Sequence, residues 1–145
     1  MRKSTRSSTK AKSFMDTSGF YALLVTGDHM HARASEFLAK AKQSSGRFLT
    51  TDYVLDETAT LLRARGHGHM AEAFFDIVFT SMACRIHWMD PDGFARTRRF
   101  FWKHRDQPWS FTDCFSFLVM RDLGLHDALT TDAHFRHAGF NPLLV

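Results

Sequence analysis

Cysteine is nearly absent from this 145-residue chain, which carries only Cys84 and Cys114. Two thiols without CxxC spacing exclude a disulfide-stapled scaffold and a cysteine zinc site, and make a reducing cytoplasm the expected compartment. Long apolar runs are missing too. None approaches the roughly 20 residues of a membrane span, and no apolar segment follows the basic start, so neither a spanning helix nor a secretory signal is expected. Acidic residues are absent from residues 1–12, where Arg2, Lys3, Arg6, Lys10 and Lys12 carry five positive charges. Fourteen Lys and Arg then stand against all fifteen Asp and Glu from Ser13 onward, so the net charge of +4 belongs to the tail. A body balanced in this way excludes a wholly basic, nucleic-acid-coating domain.

What is present suffices for one core: 44% hydrophobic and 14% aromatic residues in a chain of single-domain length. Residues 1–12 read as a disordered basic tail and residues 13–145 as a single domain without linker, repeat or low-complexity block. A short strand is expected to end at Asp16, followed by a helix start at Gly19–Val25. A helix is predicted over His31–Gln43, because Ala34, Phe37, Leu38 and Ala41 follow the i, i+3, i+4, i+7 pattern. Arg47–Thr50 reads as a strand, with Asp52 capping a helix to about Arg65. Further helices are expected over Met70–Met82, from Asp90-Pro91 onward, over Thr112–Leu123 and over Ala133–Ala138. Arg85–Met89, Ala128–Thr131 and Pro142–Val145 read as strands. Alternating strands and helices indicate an α/β fold with a parallel sheet, where ligands gather at the carboxyl ends of the strands.

Four carboxylates fit such a site. Asp16 and Asp132 each follow a strand and precede a helix, where the alternative role is an N-cap. Glu57 shares the Val54, Thr58, Leu61 stripe, whereas Asp56 lies with Asp52, Thr60 and Arg63. An inward carboxylate needs a cation, a metal or hydrogen bonds, and a buried salt bridge is the alternative. Asp113 closes Ser110-Phe111-Thr112-Asp113, a possible capping box, but the uncharged run Cys114–Met120 behind it points to a central helix and a deep first turn. Acids converging from four segments repel one another unless a divalent cation is present. An oxygen-only donor set suits Mg²⁺ or Mn²⁺ rather than zinc, and such a site suits phosphodiester hydrolysis.

Four ordered blocks then carry a resemblance: Asp16-Thr17-Ser18 with Phe20–Leu24, Asp52–Thr58, Ser110–Cys114 with Ser116-Phe117, and Ala128–Phe135 with Ala138-Gly139-Phe140. Together they resemble the PIN-domain ribonucleases, particularly VapC-type toxins of toxin–antitoxin pairs. The resemblance implies a three-layer α/β/α sandwich around a short parallel sheet. It also implies a metal-dependent endoribonuclease with Asp16, Glu57, Asp113 and Asp132 as its catalytic and metal-binding quartet, Asp16 and Asp113 being the principal ligands. Ser18, Thr130 and Thr131 look like hydrogen-bonding supports, with ordinary turn and cap chemistry as the alternative. A cognate antitoxin and a homodimer are the implied partners. One departure is the stretch Lys10–Met15, too polar for the usual apolar first strand.

Arg96, Arg98, Arg99, Lys103 and Arg105 form the strongest basic group of the body and can hold RNA phosphates or simply face solvent. Trp88, Trp102 and Trp109 can stack on bases or fill the core. Asp28-His29-Met30-His31 and His67-Gly68-His69 lack the context of a zinc site. Cys114 reads as a buried thiol. The Met70–Met82 helix is apolar beyond one stripe, as a core helix or a dimer face is. An aspartyl-phosphate phosphatase wants an acid two residues after Asp16, where Ser18 stands. The same fold could also serve RNA maturation or repair, or act as a catalytically silent RNA- or partner-binding module.

Overall fold

Strand and helix alternate along almost the whole of residues 11–145, which the computed structural model describes. The expected disordered tail therefore lies outside the described residues up to Lys10, while Ala11 and Lys12 already belong to the first strand. In chain order the elements are β1 (Ala11–Met15), α1 (Thr17–Leu24), α2 (His31–Gln43), β2 (Arg47–Thr51), α3 (Asp52–Ala64), a 3-10 turn (Gly68–Met70) and α4 (Ala71–Thr80). They continue with β3 (Cys84–His87), α5 (Pro91–Lys103), α6 (Phe111–Asp122), β4 (Asp127–Leu129), α7 (His134–His137) and β5 (Asn141–Pro142).

All strand pairings are parallel, in the order β3-β2-β1-β4-β5. The pleat sends successive side chains to opposite faces. Phe14 meets Phe135 of α7, which in turn packs edge-on against Phe117 of α6. Met15, next in the strand, lines an apolar cavity with Phe20 and Leu23 of α1 and Phe74 and Val78 of α4. Helices therefore cover both faces: α1 touches α2 and α3, α3 touches α4, and α5 pairs with α6. This is the expected α/β/α sandwich.

The polar first strand survives because only its last two residues, Phe14 and Met15, need be buried. Its pairing with β2 is irregular between Ala11 and Ser13 and regular beyond. Beside it, Phe48–Thr51 of β2 are all buried, and the Thr50 hydroxyl donates to the Met15 carbonyl at 2.9 Å.

The chain runs from β1 outward through β2 to β3, then returns to the other side of β1 for β4 and β5. The direction of winding thus reverses between β1 and β4, and a crevice opens at their carboxyl ends. Gly19 lets α1 press against that edge. A Cβ there would overlap the Leu129 carbonyl of β4, so only glycine fits.

Several element ends differ from expectation. Thr51, not Asp52, caps α3, its Oγ1 accepting from the Val54 amide at 3.1 Å. The Asp52 carboxylate instead accepts from the Met89 amide at 2.9 Å, tying α3 to the segment after β3. β3 stops at His87, leaving Trp88 exposed, and β4 stops at Leu129, placing Thr130 and Thr131 in the turn beyond it.

Candidate active site

Asp16 is the first residue past β1 and is only 5% exposed. It stands at the N-cap position of α1 in extended backbone conformation, yet its side chain makes no capping bond. Its carboxylate Oδ2 accepts the Thr130 hydroxyl at 2.8 Å, from the turn after β4, while its amide donates to the Leu129 carbonyl. Thr130 Oγ1 also receives the Asp132 amide and lies 3.0 Å from Ser18 Oγ. Because Thr130 gives its one proton to Asp16, Ser18 is the donor in that last pair. Ser18 Oγ in turn accepts the Thr131 amide at 2.9 Å. One chain of bonds thus joins the ends of β1 and β4, and Ser18, Thr130 and the Thr131 backbone all belong to it. The Thr131 side chain is exposed and enters only through its amide.

Burial pushes the Asp16 carboxyl up to about 7, with Asp113 and Glu57 adding to the rise and the Thr130 hydroxyl and Thr17 amide opposing it. Charge on Asp16 is therefore costly until a cation arrives.

Glu57 lies one turn into α3, half-buried, while Asp56 is exposed as its face predicts. Its Oε1 accepts the Thr17 hydroxyl at 2.7 Å. Among the described residues no salt bridge compensates Glu57, so hydrogen bonding takes the place of the buried ion pair considered from sequence.

Asp113 plays two parts. The capping box is formed: the Asp113 amide donates to Ser110 Oγ at 3.0 Å and the Ser110 amide to Asp113 Oδ2 at 3.1 Å. Residues 113–120 are all buried, so this cap sits inside the fold as the uncharged run implied. Burial raises the Asp113 pKa. The Ser110 bond lowers it, Asp132 and Glu57 raise it, and His134 lowers it.

Asp132 is half-buried in the turn before α7, and its Oδ1 accepts the His134 amide at 2.8 Å. The His134 ring returns to the same place, with Nδ1 at 3.3 Å from Asp132 Oδ1 and 3.8 Å from Asp113 Oδ2. That nitrogen is buried and makes no hydrogen bond.

The four carboxylates are close enough to interact in linked pairs: Asp16 with Asp113 and Glu57, and Asp113 with Asp132 and Glu57. Four elements, each contributing one acid, create a concentrated negative potential at the β1/β4 crevice. The donor chemistry of this cluster fits a divalent cation: carboxylate oxygens with unused lone pairs and a buried ring nitrogen that makes no hydrogen bond. Asp113, Asp132 and His134 each offer an atom within 4.8 Å of the others. Among the described residues no other group of three or more His, Cys, Asp or Glu has this geometry. His31 Nδ1 contacts the Ala22 carbonyl, and His67 packs on Tyr21.

The basic group, with Arg105 lying just past the end of α5 at Lys103, is divided. Arg96 is taken up by a two-pronged bond to Asp122, at 2.6 and 3.0 Å. Arg105 stacks over the ring of Trp102 at 4.5 Å and donates to its carbonyl. Arg98, Arg99 and Lys103 are exposed. Trp109 is core, between Phe100 and Phe117, whereas Trp102 is 67% exposed. From α5, Phe94 and Phe101 both reach Phe111, two residues before Asp113, and Tyr53 of α3 reaches it from the other side.

Sequence reading missed His134 and Thr17. The signal for His134 was Asp-x-His at a helix start, where the amide at i+2 bonds back to the carboxylate and carries the ring with it. Thr17 had none beyond adjacency to Asp16, because its partner Glu57 lies 40 residues away.

The family model for the PIN domain matches residues 13–141. The 23S rRNA-specific endonuclease VapC20 of Mycobacterium tuberculosis, from strains CDC 1551 / Oshkosh and ATCC 25618 / H37Rv, is 33% identical over 127 residues, covering 88% of this chain and 94% of the relative. The crystal structure of Mycobacterium tuberculosis VapC20, described as a sarcin–ricin loop cleaving toxin, superposes with a TM-score of 0.78 at 32% identity, covering 88% of this chain and 95% of the other.

Proposed function

This chain belongs to the PIN-domain family, and from that premise we propose that its acidic pocket is the centre of a divalent-cation-dependent endoribonuclease, the toxin of a VapC-type toxin–antitoxin pair. The observation that carries the reading is the meeting of four carboxylates at the switch point between β1 and β4. Asp16 and Asp113 are the principal ligands for Mg²⁺ or Mn²⁺, with Glu57 and Asp132 completing the set. A cation bound there supplies Lewis-acid polarisation of the scissile phosphodiester and neutralises its charge.

The chain's own groups do the rest. Thr130, itself held by Ser18, fixes the Asp16 carboxylate through Oδ2. Thr17 occupies Oε1 of Glu57, leaving Oε2 to accept a proton from the attacking water. Ser110 aims Asp113 from the cap of α6.

RNA approaches along α5, where Arg98, Arg99 and Lys103 meet phosphates while Arg96 and Arg105 first serve Asp122 and Trp102. The Phe94, Phe101 and Phe111 rings between that helix and Asp113 offer stacking surface for unpaired bases. The similarity to VapC20 supports ribosomal RNA, and within it the sarcin–ricin loop, as the substrate to try first. A cognate antitoxin and a second copy of the chain are the protein partners. Supporting them, α4 leaves Ile77 59% exposed, Met82 just beyond it is 79% exposed, and Phe79 stacks on exposed Trp88. A cytoplasmic site of action belongs to the same reading; no helix among the described residues is long and apolar enough to cross a membrane.

The test is cleavage of ribosomal RNA by the purified protein, with fragment ends mapped. A discrete cut with Mg²⁺ or Mn²⁺ that disappears with EDTA and with Asp16→Asn supports the function. A cut that persists with both overturns the mechanism.

A further inference from the structure

We propose that His134 Nδ1 is a nitrogen ligand of the cation, so that the site is a mixed nitrogen and oxygen set preferring Mn²⁺ to Mg²⁺. This rests on the reading that the pocket holds a divalent cation, and it changes the all-oxygen donor set expected from sequence.

The nitrogen is the informative atom. The His134 side chain is 34% exposed, but Nδ1 itself is buried and has no hydrogen-bond partner. A buried ring nitrogen that makes no hydrogen bond and faces carboxylate oxygens is satisfied either by an added proton, as an ion pair, or by a cation shared with those oxygens. Nδ1 faces two carboxylate oxygens, at 3.3 Å on Asp132 and 3.8 Å on Asp113. Ligands about 2.1 Å from a common ion stand about 3.0 Å apart when adjacent and about 4.2 Å apart when opposite. Both spacings from Nδ1 fall between those limits, and the three residues offer atoms within 4.8 Å of one another, so a small side-chain adjustment lets one ion reach all three.

The ring is also held in place. The His134 amide bonds to Asp132 Oδ1, and the next residue, Phe135, is fully buried against Phe14 and Phe117. A fixed backbone on both sides of the ring limits where Nδ1 can go, which is the preorganisation a metal ligand needs.

Ligand type sets the ion. Mg²⁺ favours oxygen and gives up water reluctantly, whereas imidazole shifts preference toward first-row transition ions. Of the two ions the carboxylates suit, Mn²⁺ is the one a nitrogen ligand favours.

The full chain, stripped with EDTA and then titrated with Mn²⁺ or Mg²⁺, tests this. Pulsed electron paramagnetic resonance of the Mn²⁺ form should show ¹⁴N coupling from directly bound imidazole, absent in His134→Gln. The substitution should weaken Mn²⁺ binding about 10-fold or more and Mg²⁺ binding by less than about 3-fold, with the metal-free thermal midpoint showing that the variant folds. Bound Mn²⁺ without ¹⁴N coupling in the wild type overturns the assignment of His134, as does equal weakening of both ions, and either result leaves the cation site standing. A wild type that binds neither ion overturns the cation reading itself.

Discussion

Asp16 and Asp113 are both buried carboxylates at the start of a helix, yet they are supported in opposite ways. Asp16 is held from a distance: its partner hydroxyl is Thr130, 114 residues along the chain, and Thr130 is held in turn by Ser18. Asp113 is held locally, by the backbone and side chain of Ser110 three residues away. The first arrangement uses every bonding capacity of one hydroxyl: its proton goes to Asp16, and its lone pairs accept from Ser18 and the Asp132 amide. Beside the second stands the buried His134 Nδ1, which makes no hydrogen bond and faces the carboxylates of Asp113 and Asp132. One side of the site is a closed network that fixes geometry, and the other has donors to spare for a ligand.

Removing the carboxylates should erase the difference between the two sides. Asp16→Asn and Asp113→Asn are each expected to lower the RNA cleavage rate by at least about 10²–10³-fold, measured at saturating metal. If one variant keeps near-normal activity, that side is not part of the site.

Their supports should separate them. Thr130→Val strips Asp16 and the Asp132 amide of a partner at once, and is expected to cost about 10–100-fold in metal affinity or activity. Ser110→Ala removes one cap bond and should cost about 1 kcal/mol of stability with a smaller loss of rate. Parallel assays of cleavage and urea unfolding give both numbers, and equal losses of rate would remove the contrast.

Proton binding tests the burial of both acids in metal-free protein. The folded pKa of Asp16 is raised from 3.8 to about 7, so the folded state holds a proton that the unfolded state has released. The contribution is fully present below about pH 4 and is lost as pH rises through about 7. Asp113 is raised as well and acts in the same direction. In EDTA, wild-type stability should fall from pH 5 to pH 8 relative to Asp16→Asn, in which this dependence is absent. Unfolding curves that run parallel for the two proteins would show that burial does not strain Asp16.

The smallest effect concerns α5, where tied and untied groups again differ. Arg98 is exposed, while Arg96 is bonded to Asp122. Arg98→Ala should lower the slope of log affinity for RNA against log salt by about 1, and Arg96→Ala by less.

The same distinction between local and distant support explains what could be read from the sequence. The α2 helix has the predicted bounds, because an apolar stripe fixes its face. The Asp90-Pro91 start of α5 and the Ser110–Asp113 box are local bonds that short spacings reveal, and both are present. Strand ends were harder: β2 runs one residue further than expected, and β3 and β4 stop two residues earlier, because neighbouring strands decide where pairing stops. Asp52 lost the cap of α3 to Thr51 because its carboxylate bonds across the fold to Met89. Position along strands and helices was enough to single out the four acids. The bonds that hold them, Thr130 to Asp16 and Thr17 to Glu57, join residues 114 and 40 positions apart and have no local sequence signal.

Whether the four acids form one cation-loaded site that cuts RNA is tested most directly by following Mn²⁺ binding and ribosomal RNA cleavage in the same samples of wild-type protein and Asp113→Asn. Cleavage should rise with metal occupancy over the same concentration range, and both should be lost together in the variant. Cleavage undiminished in EDTA, or an Asp113→Asn protein that cuts without binding metal, would contradict a cation-loaded site.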